Sequence, residues 1–193
     1  MIRIATEADV PAMLAIYAPY VLETTYSFEY EVPTEEEFTE RFRRITRQFP
    51  WLVWEADGKI LGYAYGSAPF ERAAYRWSCE SSIYVRPEAQ GQGIGRRLYA
   101  ALEQIMALQG YRVCYAIITA ENQPSMDFHK KCGYTCTAHM PNCGWKFGRW
   151  LGVTWMEKTI HLVQCPSSFP ISWQILRQDA QKISDILDIL SLS

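Results

Sequence analysis

Apolar and polar positions along the chain change period several times, and each change marks an element. Ile2-Arg3-Ile4 alternates as a short strand. Thr6-x-x-Asp9 then has the form of a capping box, with Asp in place of the usual Glu. Met13, Ile16, Tyr17 and Tyr20 follow at helical spacing. Thr34-x-x-Glu37 is a second cap, followed by Phe38, Phe42 and Ile45 on one helical face. Trp51–Ala56 and Lys59–Gly66 read as strands joined by Asp57-Gly58, a strong hairpin signal. Tyr75–Val85 reads as a long strand that stops at Pro87. Leu98, Leu102, Ile105 and Met106 mark the next helix, and Arg112–Thr119 the next strand. A helix runs through His129 to Lys131 and ends at Gly133. Tyr134–His139 and Val153–Thr159 are closing strands.

This order predicts an α+β fold: one central mixed, twisted β-sheet flanked by α-helices. Residues 1–160 show no repeat or internal linker. The stretch 161–193 is set apart: His161–Ser172 has a loop-like composition, and Ile175, Leu176, Ile183, Ile186, Leu187 and Leu190 mark an amphipathic helix. That helix is read as covering its own domain in preference to a second subunit.

Composition narrows the function more than the fold. The chain has 193 residues, 49% hydrophobic and 21% charged, which suits one domain with a real core. A net charge of −2 argues against nucleic-acid and membrane-surface partners. No apolar run is long enough to span a membrane, and Met1–Glu7 lacks a signal-peptide core, so a cytoplasmic location is expected. Six cysteines occur without a Cys-x-x-Cys pair and read as free thiols. His129, Cys132, Cys136, His139 and Cys143 do not match a zinc spacing, so no metal is expected.

The chemistry concentrates between the strand ending at Val85 and the helix of Leu98. Gln90-Gly91-Gln92-Gly93-Ile94-Gly95-Arg96 places three glycines at a helix start. Unpaired N–H groups and the dipole there suit a phosphate. Arg96 and Arg97 oppose the dipole, a local cost that an anionic ligand would offset. Starting from Gly91 or from Gly93, the dinucleotide spacing fails at its last glycine, and no Gly-Lys-Ser/Thr triplet occurs.

The remaining pattern, Gln90-x-x-Gly93-x-Gly95, resembles the Gln/Arg-x-x-Gly-x-Gly/Ala signature of the GNAT superfamily of acetyl-CoA-dependent N-acetyltransferases. Four further stretches narrow the resemblance. They are Ile16–Val21 with Ser27-Phe28-Glu29; Gly62–Gly66 with Arg72 and Tyr75–Val85; Asn122–Ser125 with His129; and Lys146-Phe147-Gly148-Arg149-Trp150. Together, over roughly residues 2–160, they look like the phosphinothricin and methionine sulfoximine N-acetyltransferases. The resemblance implies acetyl-CoA as co-substrate, a small-molecule amine as acceptor, and a homodimer. It implies that Ile83, Tyr84 and Val85 pair with the pantetheine arm. Gln90, Gly91, Gln92, Gly93, Ile94, Gly95 and Arg96 would hold the pyrophosphate, with Asn122 and Ser125 also on the cofactor. Glu80 stands where relatives have the proposed base, and His129 where they have a nearby histidine. Arg72, Tyr75 and Trp77, with Phe28 and Glu29, would form the amine pocket. Leu151-Gly152 departs from relatives that carry an acid there, so no role is assigned to it.

Those residue types suit acetyl transfer. A partly buried carboxylate at Glu80, beside Trp77 and Cys79 and in phase with Ser78 and Ser82, would accept the amine proton directly or through water. A backbone N–H near Tyr84 or Val85 would stabilise the oxyanion. His129 would shuttle a proton or hold a water. The alternatives are acetylation of another small amine or a peptide N-terminus, and an acetyl-CoA-binding regulator without catalysis.

Overall fold

A computed structural model describes residues 1–162 and 164–192. Both caps form as the sequence predicts. The Thr6 N–H donates to Asp9 Oδ2 at 2.8 Å, opening a short turn into α1 (Val10–Glu23). Thr34 and Glu37 exchange hydrogen bonds of 2.8 and 3.2 Å at the start of α2 (Glu35–Ile45). After β1 (Ile2–Ile4), the hairpin of β2 (Trp51–Ala56) and β3 (Lys59–Ser67) turns at Asp57 and Gly58, both at positive φ. The chain continues through β4 (Ser78–Val85), α3 (Ile94–Gln109), β5 (Val113–Thr119) and α4 (Gln123–Lys131). It closes with β6 (Thr135–Lys146), β7 (Arg149–Thr159), α5 (Trp173–Leu176) and α6 (Ala180–Leu192).

The seven strands form one mixed sheet in the order β1-β2-β3-β4-β5-β7-β6. Helices α1 and α2 cover one face. There Phe38 and Phe42 pack on Trp51, and Tyr17 packs on Tyr84 with ring centroids 4.9 Å apart. Helix α3 covers the other face with Leu98, Leu102, Ile105 and Met106, each fully buried. Gly66 lets α3 come close, because a Cβ there would lie 2.7 Å from the Met106 sulfur.

Three strands differ from expectation. Residues 73–75 form a short 3-10 turn, so β4 starts at Ser78 and not at Tyr75. Strands β6 and β7 extend much further, meeting at a turn where Phe147 and Gly148 both take positive φ. The extension after residue 160 folds back on the domain. The Trp173 N–H donates to the Gln48 carbonyl at 3.0 Å, the Trp173 ring is buried, and α6 lies on α3 and β1.

Candidate active site

Strands β4 and β5 begin as parallel neighbours, pairing Ser78 with Val113, Cys79 with Cys114 and Glu80 with Tyr115. Pairing stops there, although both strands continue. The resulting wedge is lined by Ser82, Ile83 and Tyr84 on one side and Ala116 to Thr119 on the other, with Tyr20, Asn122, Ser125 and His129 around it.

The ladder on the far side of β4 determines which backbone groups reach this cleft. The Arg86 N–H donates to the Leu61 carbonyl at 2.9 Å, and Tyr84 pairs with Tyr63 in the same register. Alternation then gives the hydrogen bonds to β3 to Glu80, Ser82 and Tyr84. Ser81, Ile83 and Val85 therefore turn their N–H and C=O groups toward the cleft. The Val85 carbonyl accepts from Tyr20 Oη at 2.6 Å. An open strand edge of this kind accepts an extended amide chain, which is the chemistry of pantetheine. Of the two oxyanion candidates, the Tyr84 N–H belongs to the β3 ladder and the Val85 N–H faces the cleft.

Beyond Val85 the chain makes the glycine turn. Gly91 and Gly93 sit at φ +75° and +79°, a region open to glycine and costly for other residues. Gly95 serves close packing: a Cβ there would lie 3.3 Å from both Ile83 and Phe128. The first helical bond of α3 runs from the Arg97 N–H to the Gly93 carbonyl, so the N–H groups of Ile94, Gly95 and Arg96 have no intrahelical acceptor. Arg96 beside them is exposed. Gln90 Nε2 donates to Tyr20 Oη at 3.2 Å, and Asn122 Oδ1 caps α4 by accepting the Ser125 N–H at 3.1 Å. These residues fit a coenzyme A pyrophosphate.

Glu80 is half-buried at the point where β4 and β5 part, on the α1/α2 face. Burial alone pushes its carboxyl up to about 7. His129 is on the opposite side. Its Nδ1 lies 2.7 Å from the Ser125 carbonyl, which can only accept, so Nδ1 carries the proton. Its Nε2, 2.8 Å from Tyr99 Oη, therefore accepts. Burial lowers the His129 pKa and keeps the ring neutral. The sheet lies between Glu80 and His129, and the two do not meet.

The residues assigned to the amine pocket separate into two groups and one residue outside both. Phe28 rests on Gly144 of β6 and Glu29 pairs with Arg41 at 2.6 Å. Tyr75 packs on Phe70, which stacks on Trp155 and meets Tyr115, the cross-strand neighbour of Glu80. Arg72 is exposed in the same β3–β4 loop. Trp77 stands apart: its Nε1 donates to the Ser168 carbonyl at 3.2 Å and its ring packs on Phe169, so it anchors the C-terminal extension.

Sequence reasoning gave no role to three side chains that build this region. Lys146 donates to the Val21 and Ser27 carbonyls, both at 2.7 Å, bolting the end of α1 and the Phe28 segment to β6. Arg41 supplies the counter-ion of Glu29. Tyr99 holds His129. Lys146 opens one of the quoted motifs, whereas Arg41 and Tyr99 carry no local signal.

Residues 2–155 match the family model described as an acetyltransferase (GNAT) domain. The chain belongs to the GNAT acetyltransferases. It is an acetyl-CoA-dependent N-acetyltransferase. It is similar to a phosphinothricin N-acetyltransferase of Streptomyces viridochromogenes, at 34% identity over 165 residues, covering 86% of this chain and 90% of that protein. An L-methionine sulfoximine/L-methionine sulfone acetyltransferase of Pseudomonas aeruginosa is 38% identical over 161 residues, covering 81% and 92%. Among solved structures, the GNAT phosphinothricin acetyltransferase of Sinorhizobium meliloti, in complex with AcCoA, superposes with a TM-score of 0.81. That match has 34% identity and covers 89% of this chain and 92% of the other.

Proposed function

We propose that this acetyltransferase acts on the α-amine of a small amino-acid analogue of the phosphinothricin or methionine sulfoximine type. The names of its relatives supply the substrate class. The observation that carries the mechanism is Glu80, a half-buried carboxyl with a pKa of about 7 at the narrow end of the cleft, where β4 and β5 part. Acetyl-CoA brings an electrophilic thioester to the cleft. Glu80 takes the proton from the attacking amine, directly or through one water. The Ile83 N–H, which also faces the cleft and lies nearer to Glu80, is the donor best aimed at developing negative charge on oxygen. The turn from Gln90 to Arg96 holds the pyrophosphate, with Asn122 and Ser125 beside it. His129, with both ring nitrogens engaged, keeps α4 and Ser125 in position and has no free proton for the amine.

Phe28 and Tyr75 form apolar walls of the amine pocket, and Arg72 receives the acidic group. Glu29 acts through Arg41, and Trp77 acts through the extension. The exposed Trp145, Phe147 and Trp150, together on the β6–β7 hairpin, support a homodimer. The free thiols of Cys136, Cys143 and Cys165, all exposed, fit a reducing cytoplasm.

The test is Glu80→Gln against a panel of amines, read by thiol release. Turnover is expected to fall about 10²–10⁴-fold while acetyl-CoA binding persists. Unchanged turnover removes Glu80 as base. Preference for an unrelated amine or a peptide N-terminus removes the substrate class.

A further inference from the structure

The narrow end of the cleft has a wall to which the mechanism above assigns no role. Pairing closes at Glu80 and Tyr115, and the next residues inward on the α3/α4 face are Ser81 and Ala116. Behind them stands Tyr99 of α3. Ala116 and Tyr99 are each 1% exposed, yet both line the cleft. The Tyr99 ring meets Phe128 and His129 edge-on, with centroids 5.2 Å away in each case. Its hydroxyl is tied to His129 Nε2 at 2.8 Å, and Ser81 Oγ is 3.3 Å from Tyr134 Oη. Side chains packed and hydrogen-bonded on every side do not move aside for extra volume.

The direction of the donor follows from the order of its parts. The pyrophosphate turn lies at the Val85 end of the open edge, so the pantetheine arm runs along Ile83 toward Ser81. The acyl group comes last, at the point where β4 and β5 close to the ordinary strand spacing of about 4.8 Å. The carbons of a longer acyl chain cannot pass between paired strands. On the α1/α2 face they would occupy the path of the amine to Glu80. On the other face they meet Ala116 and Tyr99.

We propose that Ser81, Ala116 and Tyr99 form the acyl pocket of this enzyme and restrict its donors to acetyl- and propionyl-CoA. This rests on the acetyl-transfer reading of the cleft and adds donor chain length to it. Tyr99 sets the depth and Ala116 the width, while His129 holds Tyr99 in place.

The experiment uses acetyl-, propionyl-, butyryl- and hexanoyl-CoA with one amine accepted with acetyl-CoA, read by thiol release. Thermal shift with each acyl-CoA measures binding independently. For the wild-type protein, kcat/KM is expected to drop at least ~10-fold at butyryl-CoA. Tyr99→Ala should raise the butyryl-to-acetyl ratio about tenfold or more, whereas Tyr99→Phe, which keeps the ring, should leave it low. Ala116→Val should lower propionyl-CoA use before acetyl-CoA use, and it decides the matter if Tyr99→Ala does not fold. Equal use of hexanoyl- and acetyl-CoA by the wild-type protein would overturn the pocket, as would chain-length ratios unchanged in both Tyr99→Ala and Ala116→Val. If no amine is acetylated, the amine reading fails, and the thermal-shift order of the acyl-CoAs still judges the pocket.

Discussion

As the proposed base, Glu80 is a carboxyl that would serve catalysis at a cost to stability. Its folded pKa of about 7 lies above the ordinary 4.5. Turnover should therefore rise as pH increases through about 7, when the base ionises, and a pH–kcat profile checks this. Stability runs the other way. A raised folded pKa favours the fold below the unfolded pKa, and that advantage is lost as pH climbs through the folded pKa. Glu80→Gln, a neutral mimic of the protonated acid, should be more stable than wild type at pH 8 by roughly 1–3 kcal/mol. The two should converge near pH 4, as measured by urea unfolding at both pH values. The position of Glu80 on an alternating strand is legible in sequence. Its burial is not, because that depends on Tyr65 and the neighbouring strands, which are distant in the chain.

Among the elements, the β6–β7 hairpin touches the proposed amine pocket through Phe28. A Cβ on Gly144 would lie 2.2 Å from the Phe28 ring. Gly144→Ala should displace that ring and raise KM for the amine several-fold, with KM for acetyl-CoA unchanged in steady-state kinetics. Lys146→Met leaves the Val21 and Ser27 carbonyls without their donor and should cost about 2–4 kcal/mol, measured by chemical denaturation. The sequence reading ended the first strand of this hairpin at His139 and began the second at Val153. Residues 135–145 are nearly all exposed on both faces, so no alternation appears, and Pro141, Gly144, Gly148 and Gly152 all read as breakers. Cross-strand pairs such as Trp145 with Trp150 hold it together instead. Caps and the Asp57-Gly58 turn were legible because their hydrogen bonds close within four residues.

At the scale of the whole molecule the C-terminal extension belongs to the fold. Trp173 is 1% exposed beside Gln48 and Gln109, and Ser191 Oγ accepts the Ile2 N–H at 2.8 Å. Trp173→Ala should cost about 3–5 kcal/mol, visible as a lower melting temperature. Trp150→Glu should convert the proposed dimer to a monomer in analytical ultracentrifugation while the fold persists, since Trp150 is 60% exposed. The sequence by itself determined the α+β element order, the two caps and the glycine turn before α3, all features decided by residues a few positions apart. Only the tertiary structure decided that β4 and β5 part at Glu80, that Glu80 and His129 face opposite sides of the sheet, and that Trp77 turns to the extension. Those outcomes depend on strand pairing and side-chain packing between residues tens of positions apart, which no local pattern records.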